Sequence, residues 1–118
     1  MFLPLNWASI PGYWSQQKFS VEPDDVLIAP GSSTTLPCVI DNKMGECRWS
    51  KAGKPVGMFD GKYEMMGDME GGDCSLPLYT VNLRIDDGAW QCQVTASNVT
   101  SQDALVSRLA KLTVQGKM

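Results

Sequence analysis

The sequence predicts an all-β sandwich of two antiparallel sheets joined by Greek-key connections. Three observations carry that reading. Apolar and polar residues alternate in short runs, as in Thr34 to Ile40, where Leu36, Cys38 and Ile40 share one face. Clusters of Gly, Pro, Asn, Asp and Ser separate these runs, and no stretch of ten or more residues holds a helical period. Cys38, Trp49 and Cys92 follow one another at separations of 11 and 43 residues. A tryptophan that packs on a bridge between two sheets needs that order.

The elements follow along the chain. Residues 1–17 stand apart: the stretch is apolar, yet it lacks a basic start and Pro4, Asn6 and Pro11 interrupt it. It reads as a tail or an atypical leader, with a disordered tail or an alternative first exon the plainest accounts. The domain proper is expected over 18–115, with 116–118 as a short tail. Phe19 to Val21 and Val26 to Ala29 are brief strands split by Pro23-Asp24-Asp25, and Pro30-Gly31-Ser32-Ser33 turns the chain. Thr34 to Ile40 comes next, then a loop over 41–45, then Cys47 to Lys51. Gly53 and Gly57 punctuate a short strand around Pro55 to Met58, and Lys62 to Met66 reads as another. A glycine-rich turn over 67–72 leads into Cys74 to Leu83. Gly88 to Ala96 and Leu105 to Val114 make the closing pair. About nine strands over about a hundred residues is the pattern of an immunoglobulin-like sandwich, variable-like or intermediate in type.

The four cysteines, Cys38, Cys47, Cys74 and Cys92, contain no C-x-x-C pair, and the chain has no histidine. A zinc site would need ligands from four distant places, so two disulfides in an oxidising compartment are the better account. Four cysteines allow three pairings. Cys38–Cys92 with Cys47–Cys74 is the one that keeps the bridge between the sheets. Cys47 lies two residues before Trp49 and so shares its inner face, while Cys74 faces inward with Leu76. Two free buried thiols at 47 and 74 are the alternative.

The corner before Cys92 reads Asp86-Asp87-Gly88-Ala89-Trp90-Gln91-Cys92. It is similar to D-x-G-x-Y-x-C, in which the aromatic two residues before the cysteine anchors the corner, but here the aromatic is Trp90. An indole N–H donates and cannot accept, so the corner bond is expected to differ in form. Asp86 is expected to be structural and to pair with Lys62.

Composition narrows the function. A net charge of −3 with no basic cluster argues against nucleic acid as a partner. The longest apolar runs are four or five residues, so this chain does not insert in a membrane itself and any anchor would lie outside it. Without histidine there is no Ser-His or Cys-His dyad, and no phosphate loop, dinucleotide fingerprint or metal cluster appears. The sequence therefore implies no enzyme, no cofactor and no metal.

Gln17-Lys18-Phe19, Leu36-Pro37-Cys38, Trp49-Ser50-Lys51, Gln91-Cys92-Gln93-Val94 and Ala110-Lys111-Leu112-Thr113-Val114 together resemble the first domain of the nephrin and kin-of-irre (irregular chiasm, roughest, hibris) adhesion receptors. The resemblance covers about residues 16–115, and the Cys47/Cys74 pair departs from it. It implies a mature start near Gln16 or Gln17, an extracellular place at the cell surface, and adhesion by pairing one sheet face with a like face on another cell. The partner it implies is a protein, the chain itself or a related immunoglobulin-superfamily receptor.

Alternation finds the same face. With Trp90, Cys92 and Val94 inward, Gln91, Gln93 and Thr95 point out; with Trp49 inward, Arg48 and Ser50 point out. With Ala110, Leu112 and Val114 inward, Leu109 and Lys111 lie outside. These seven are the candidate binding residues; solvated outer positions are the plain alternative. Met44, Met58, Met65, Met66 and Met69 cluster in or beside loops, and gap-filling explains them better than binding. Asn98-Val99-Thr100 is a glycosylation sequon in the loop before the last strand. A soluble protein that binds a secreted or non-self ligand through loops near Asn42 and Asn98 is the competing reading. A purely structural module is a third.

Overall fold

The computed structural model describes residues 16–116. Ten short strands and one helical turn form two layers. The larger layer is built from β2 (Val26–Ile28), β10 (Ala110–Val114), β8 (Gly88–Val94), β5 (Cys47–Lys51) and β6 (Lys54–Pro55), in that order, with β9 (Leu105–Val106) also paired to β8. The opposing layer holds β1 (Lys18–Val21) on β4 (Val39–Asp41) and β3 (Thr34–Leu36) on β7 (Leu76–Leu78). All pairings are antiparallel except β2 with β10, which run parallel. The first strand pair therefore crosses from one layer to the other at Pro23-Asp24-Asp25, where proline ends the ladder.

Pro37 divides what reads in the sequence as one strand, Thr34 to Ile40, because it has no N–H to donate. The layer stays joined across the break. Cys38 donates its backbone N–H to Ser75 Oγ at 3.1 Å and accepts from Cys74 N–H at 2.8 Å. Ile40 N–H then reaches the Gly72 carbonyl at 2.8 Å. Gly72 has φ of +106°, and an added Cβ would lie 2.1 Å from the Ile40 carbonyl oxygen. Only glycine fits there.

Leu36, Cys38, Ile40, Trp49, Leu76, Leu78, Val81, Trp90, Cys92, Val94, Leu112 and Val114 fill the space between the layers. Two disulfides cross it, Cys38–Cys92 and Cys47–Cys74, with Cα separations of 6.5 and 6.2 Å. Trp49 is buried between them, and its indole N–H donates to the Cys74 carbonyl at 2.8 Å. The tryptophan is thus tied to the second bridge as well as packed on the core.

Three expected strands are corrected. Lys62 to Met66 forms only isolated bridges, Phe59 with Tyr63 and Tyr63 with Leu78. Glycines at 57, 61 and 67 keep this segment from extended pairing, while the Tyr63 ring is drawn into the core. The strand expected over Pro55 to Met58 ends at Pro55. The strand expected to reach Leu83 ends at Leu78, because Thr80 adopts φ of 51° and Asn82 caps a helical turn, α1 (Leu83–Asp86). The last strand is also interrupted, at 107–109.

The corner is built on Asp86, which is fully buried. Its carboxylate accepts from Lys62 Nζ at 2.6 Å, from Asn82 N–H at 2.7 Å and from the Tyr63 hydroxyl. Lys62 Nζ also donates to the Tyr79 and Thr80 carbonyls at 3.1 and 3.2 Å. A charge taken out of water needs this degree of satisfaction. Burial, the hydrogen bond to Asp86 and the charge of Asp86 together push the Tyr63 phenol well above its ordinary value.

Candidate binding face

Cross-strand register decides which side chains share the outer face of the larger layer. Arg48 of β5 stands opposite Gln93 of β8, and Gln93 stands opposite Val106 of β9. These three form one row. Ser50 stands opposite Gln91 in the next row, and Lys111 stands opposite Ala89 further along. Arg48, Gln91, Gln93 and Lys111 are therefore brought together on one surface.

The two glutamines are already partly committed. Gln91 Nε2 donates to the Ser107 carbonyl at 2.8 Å, and Gln93 Nε2 lies 3.4 Å from Gln91 Oε1. Among the described residues the Gln93 side-chain carbonyl oxygen accepts no hydrogen bond. Arg48 is exposed, and its guanidinium stands 4.0 Å from the Glu46 carboxylate, an ion pair of little strength in water.

Ser50 is a correction. It keeps 5% of its surface exposed, because Gln91 on one side and Pro55 on the other flank it in the sheet. Alternation gave its direction but not the height of its neighbours. Thr95 lies just beyond β8, where its Oγ1 accepts from Glu46 N–H at 2.8 Å. It fastens the loop between β4 and β5 rather than standing in the row of Arg48. Leu109 lies in the break before β10, not in a strand, and is 59% exposed.

Val106 was not among the expected residues, and it is 61% exposed beside Gln93. The break at 107–109 shifts the facing pattern between β9 and β10, so simple alternation back from Ala110 cannot find it. The face thus carries Val106 beside Gln93, with Leu109 exposed in the adjoining break.

One end of this face is locked by Gln17, which the sequence assigns to the tail. It is buried. Its Nε2 donates to the Thr95 and Asp103 carbonyls, both at 3.0 Å. Its Oε1 accepts from Met44 and Gly45 N–H at 2.8 and 2.7 Å. One amide therefore joins the loop after β4, the end of β8 and the loop before β9. A side chain at Gly45 would strike the Thr95 carbonyl, 1.9 Å from the added Cβ. Asp103 accepts from Ser97 N–H at 2.9 Å and Ser97 Oγ at 2.5 Å, and these bonds hold its carboxyl below the usual carboxylate range. The reading of residues 1–15 and 117–118 as tails lies outside the described residues. Among the described residues no helix is long and apolar enough to cross a membrane.

The bridged sandwich, its core tryptophan and its aspartate corner define an immunoglobulin-superfamily domain. No protein-family model matches the chain. It is 37% identical to the irregular chiasm C-roughest protein of Drosophila melanogaster over 86% of this chain, and 36% identical to kin of IRRE-like protein 1 of Rattus norvegicus over 97% of it. The crystal structure of Duf (Kirre) D1 superposes with a TM-score of 0.75 at 38% identity, covering 84% of this chain and 96% of that one. The chain belongs to the irregular chiasm and kin of IRRE family, which is non-enzymatic. It spans 14% of the length of the two curated relatives.

Proposed function

We propose that the domain is an extracellular adhesion and recognition module that binds a second copy of itself, or a related immunoglobulin-superfamily receptor, through the outer face of β5, β8, β9 and β10. The observation that carries this reading is the Arg48–Gln93–Val106 row with Leu109 beside it. Val106 and Leu109 offer apolar area to bury, and Arg48, Lys111 and the Gln93 side-chain carbonyl offer polar contacts beside them. That is the anatomy of a protein interface. The family and the two disulfides support a place at the cell surface, where an oxidising environment maintains such bridges. Gln91 acts here as support for Gln93, and Thr95 as a loop fastener.

The test is aggregation of beads that carry the full chain, mixed with like beads and with beads carrying Duf (Kirre) D1. Clumping of wild type, abolished by Gln93→Arg and by Val106→Asp, is the expected result. Clumping that survives both changes but is lost on altering Asn42 would move the site to the loops. No clumping with either partner would overturn the adhesion reading.

A further inference from the structure

We infer that Asn98 carries an N-linked glycan, and that this glycan covers the loop end of the sandwich. The inference goes beyond face binding and stands independently of it. The sequence holds one Asn-x-Ser/Thr sequon, Asn98-Val99-Thr100, and the two disulfides place the chain in a compartment where such sites are modified.

The side-chain geometry suits the linkage. Asn98 Oδ1 accepts from Thr100 N–H and Oγ1 at 3.0 and 2.9 Å, and from Ser101 N–H and Oγ at 2.9 and 3.1 Å. The carbonyl oxygen thus anchors the turn by itself. Asn98 Nδ2 makes no hydrogen bond among the described residues, and Asn98, Val99 and Thr100 are all exposed. A sugar on Nδ2 displaces nothing that holds the loop. In the transfer, Nδ2 loses a proton and bonds to the sugar anomeric carbon of a lipid-linked oligosaccharide diphosphate. The bond from that carbon to the diphosphate breaks, and the lipid diphosphate leaves.

The surroundings explain what the glycan does. Val99 is 101% exposed and Met44 is 72% exposed, the two most exposed large apolar side chains among the described residues. Both belong to the end where Gln17 and Thr95 tie the two loops together. Exposed apolar groups at a protein's end favour unwanted association. A hydrophilic oligosaccharide rooted beside Val99 shields this end, and the Arg48–Gln93–Val106 row begins one residue pair in from it.

The test is secretion of the full chain from a eukaryotic cell, followed by intact mass and dilute peroxide oxidation. Wild type should carry a glycan mass that peptide N-glycosidase removes, absent in Asn98→Gln and Thr100→Ala and retained in Thr100→Ser. Met44 should oxidise about threefold more slowly in glycosylated protein than in Asn98→Gln, because oxidation follows exposure. Secreted protein without glycan would overturn the site. A glycan that leaves the Met44 rate unchanged would overturn the shielding. Neither result depends on whether beads clump.

Discussion

Trp90 donates its indole N–H to the backbone carbonyl of Asp86 at 2.9 Å. The usual corner tyrosine makes its bond to upstream backbone through a hydroxyl. Here a donor-only side chain does the same work, because the partner four residues back is a carbonyl. The Trp90 ring also meets Tyr63 edge-on, with centroids 5.4 Å apart, so both aromatics converge on Asp86.

Replacing Trp90 separates the bond from the packing. Trp90→Phe leaves the buried Asp86 carbonyl without its partner and should cost about 2–4 kcal/mol, bond and lost volume together. Trp90→Tyr can restore the bond and should cost less. Urea unfolding of both variants checks the order.

Asp86→Ala should cost about 3–5 kcal/mol, since it strands Lys62, Tyr63 and the Asn82 N–H in a buried site. The same cluster sets an alkaline limit. Folding raises the Tyr63 pKa above its ordinary value of 10.0, so the unfolded chain ionises first. The contribution is full below about pH 10 and is lost as pH rises beyond it. Tyr63→Phe should flatten that loss, read as unfolding midpoint against pH between 9 and 11.

Gln17→Ala removes four hydrogen bonds at once, two buried and two part-buried, and should cost about 2–4 kcal/mol. Gln17→Glu should be worse than its near-identical shape suggests, because a carboxylate would face the Thr95 and Asp103 carbonyls. Amide exchange at Met44 and Gly45 should quicken in Gln17→Ala, which removes their acceptor.

Asp103 gives the acid limb. Its folded pKa lies below the ordinary carboxylate value because of the Ser97 bonds, so its contribution is present above that value and is lost as pH falls below it. Asp103→Asn should weaken this dependence, measured by unfolding between pH 2 and 5.

The double change Cys47→Ala with Cys74→Ala opens a loop of 27 residues' separation and should cost about 3–4 kcal/mol on the chain-entropy account. The fold should survive on Cys38–Cys92. Thermal melting checks the loss, and collapse of the fold would mean that Trp49 depends on Cys74 for its place.

Much of this was legible in the chain. Cys38, Trp49 and Cys92 announced the sandwich because strand periodicity and the bridge between layers constrain their order. The Asp86–Lys62 pair followed from the corner motif. Lys62 to Met66 misled because its apolar residues fit a strand, while the glycines around it permit a path that buries only Tyr63. Val106 escaped because a break in a strand resets which side chains face out.

The sequence by itself determined the layers, the Cys38–Cys92 bridge and the outward direction of Arg48, Gln91 and Gln93, since these depend on local alternation and on the order of cysteine, tryptophan and cysteine, while the structure decided for Cys47–Cys74 over two free thiols. Only the tertiary structure decided which outward residues are reachable. Ser50 is hidden between Gln91 and Pro55, Gln17 is drawn from the tail into the domain, and Val106 and Leu109 emerge at a strand break. Exposure and buried hydrogen bonding arise from neighbours distant in the chain, and no local pattern encodes the height or the partners of those neighbours.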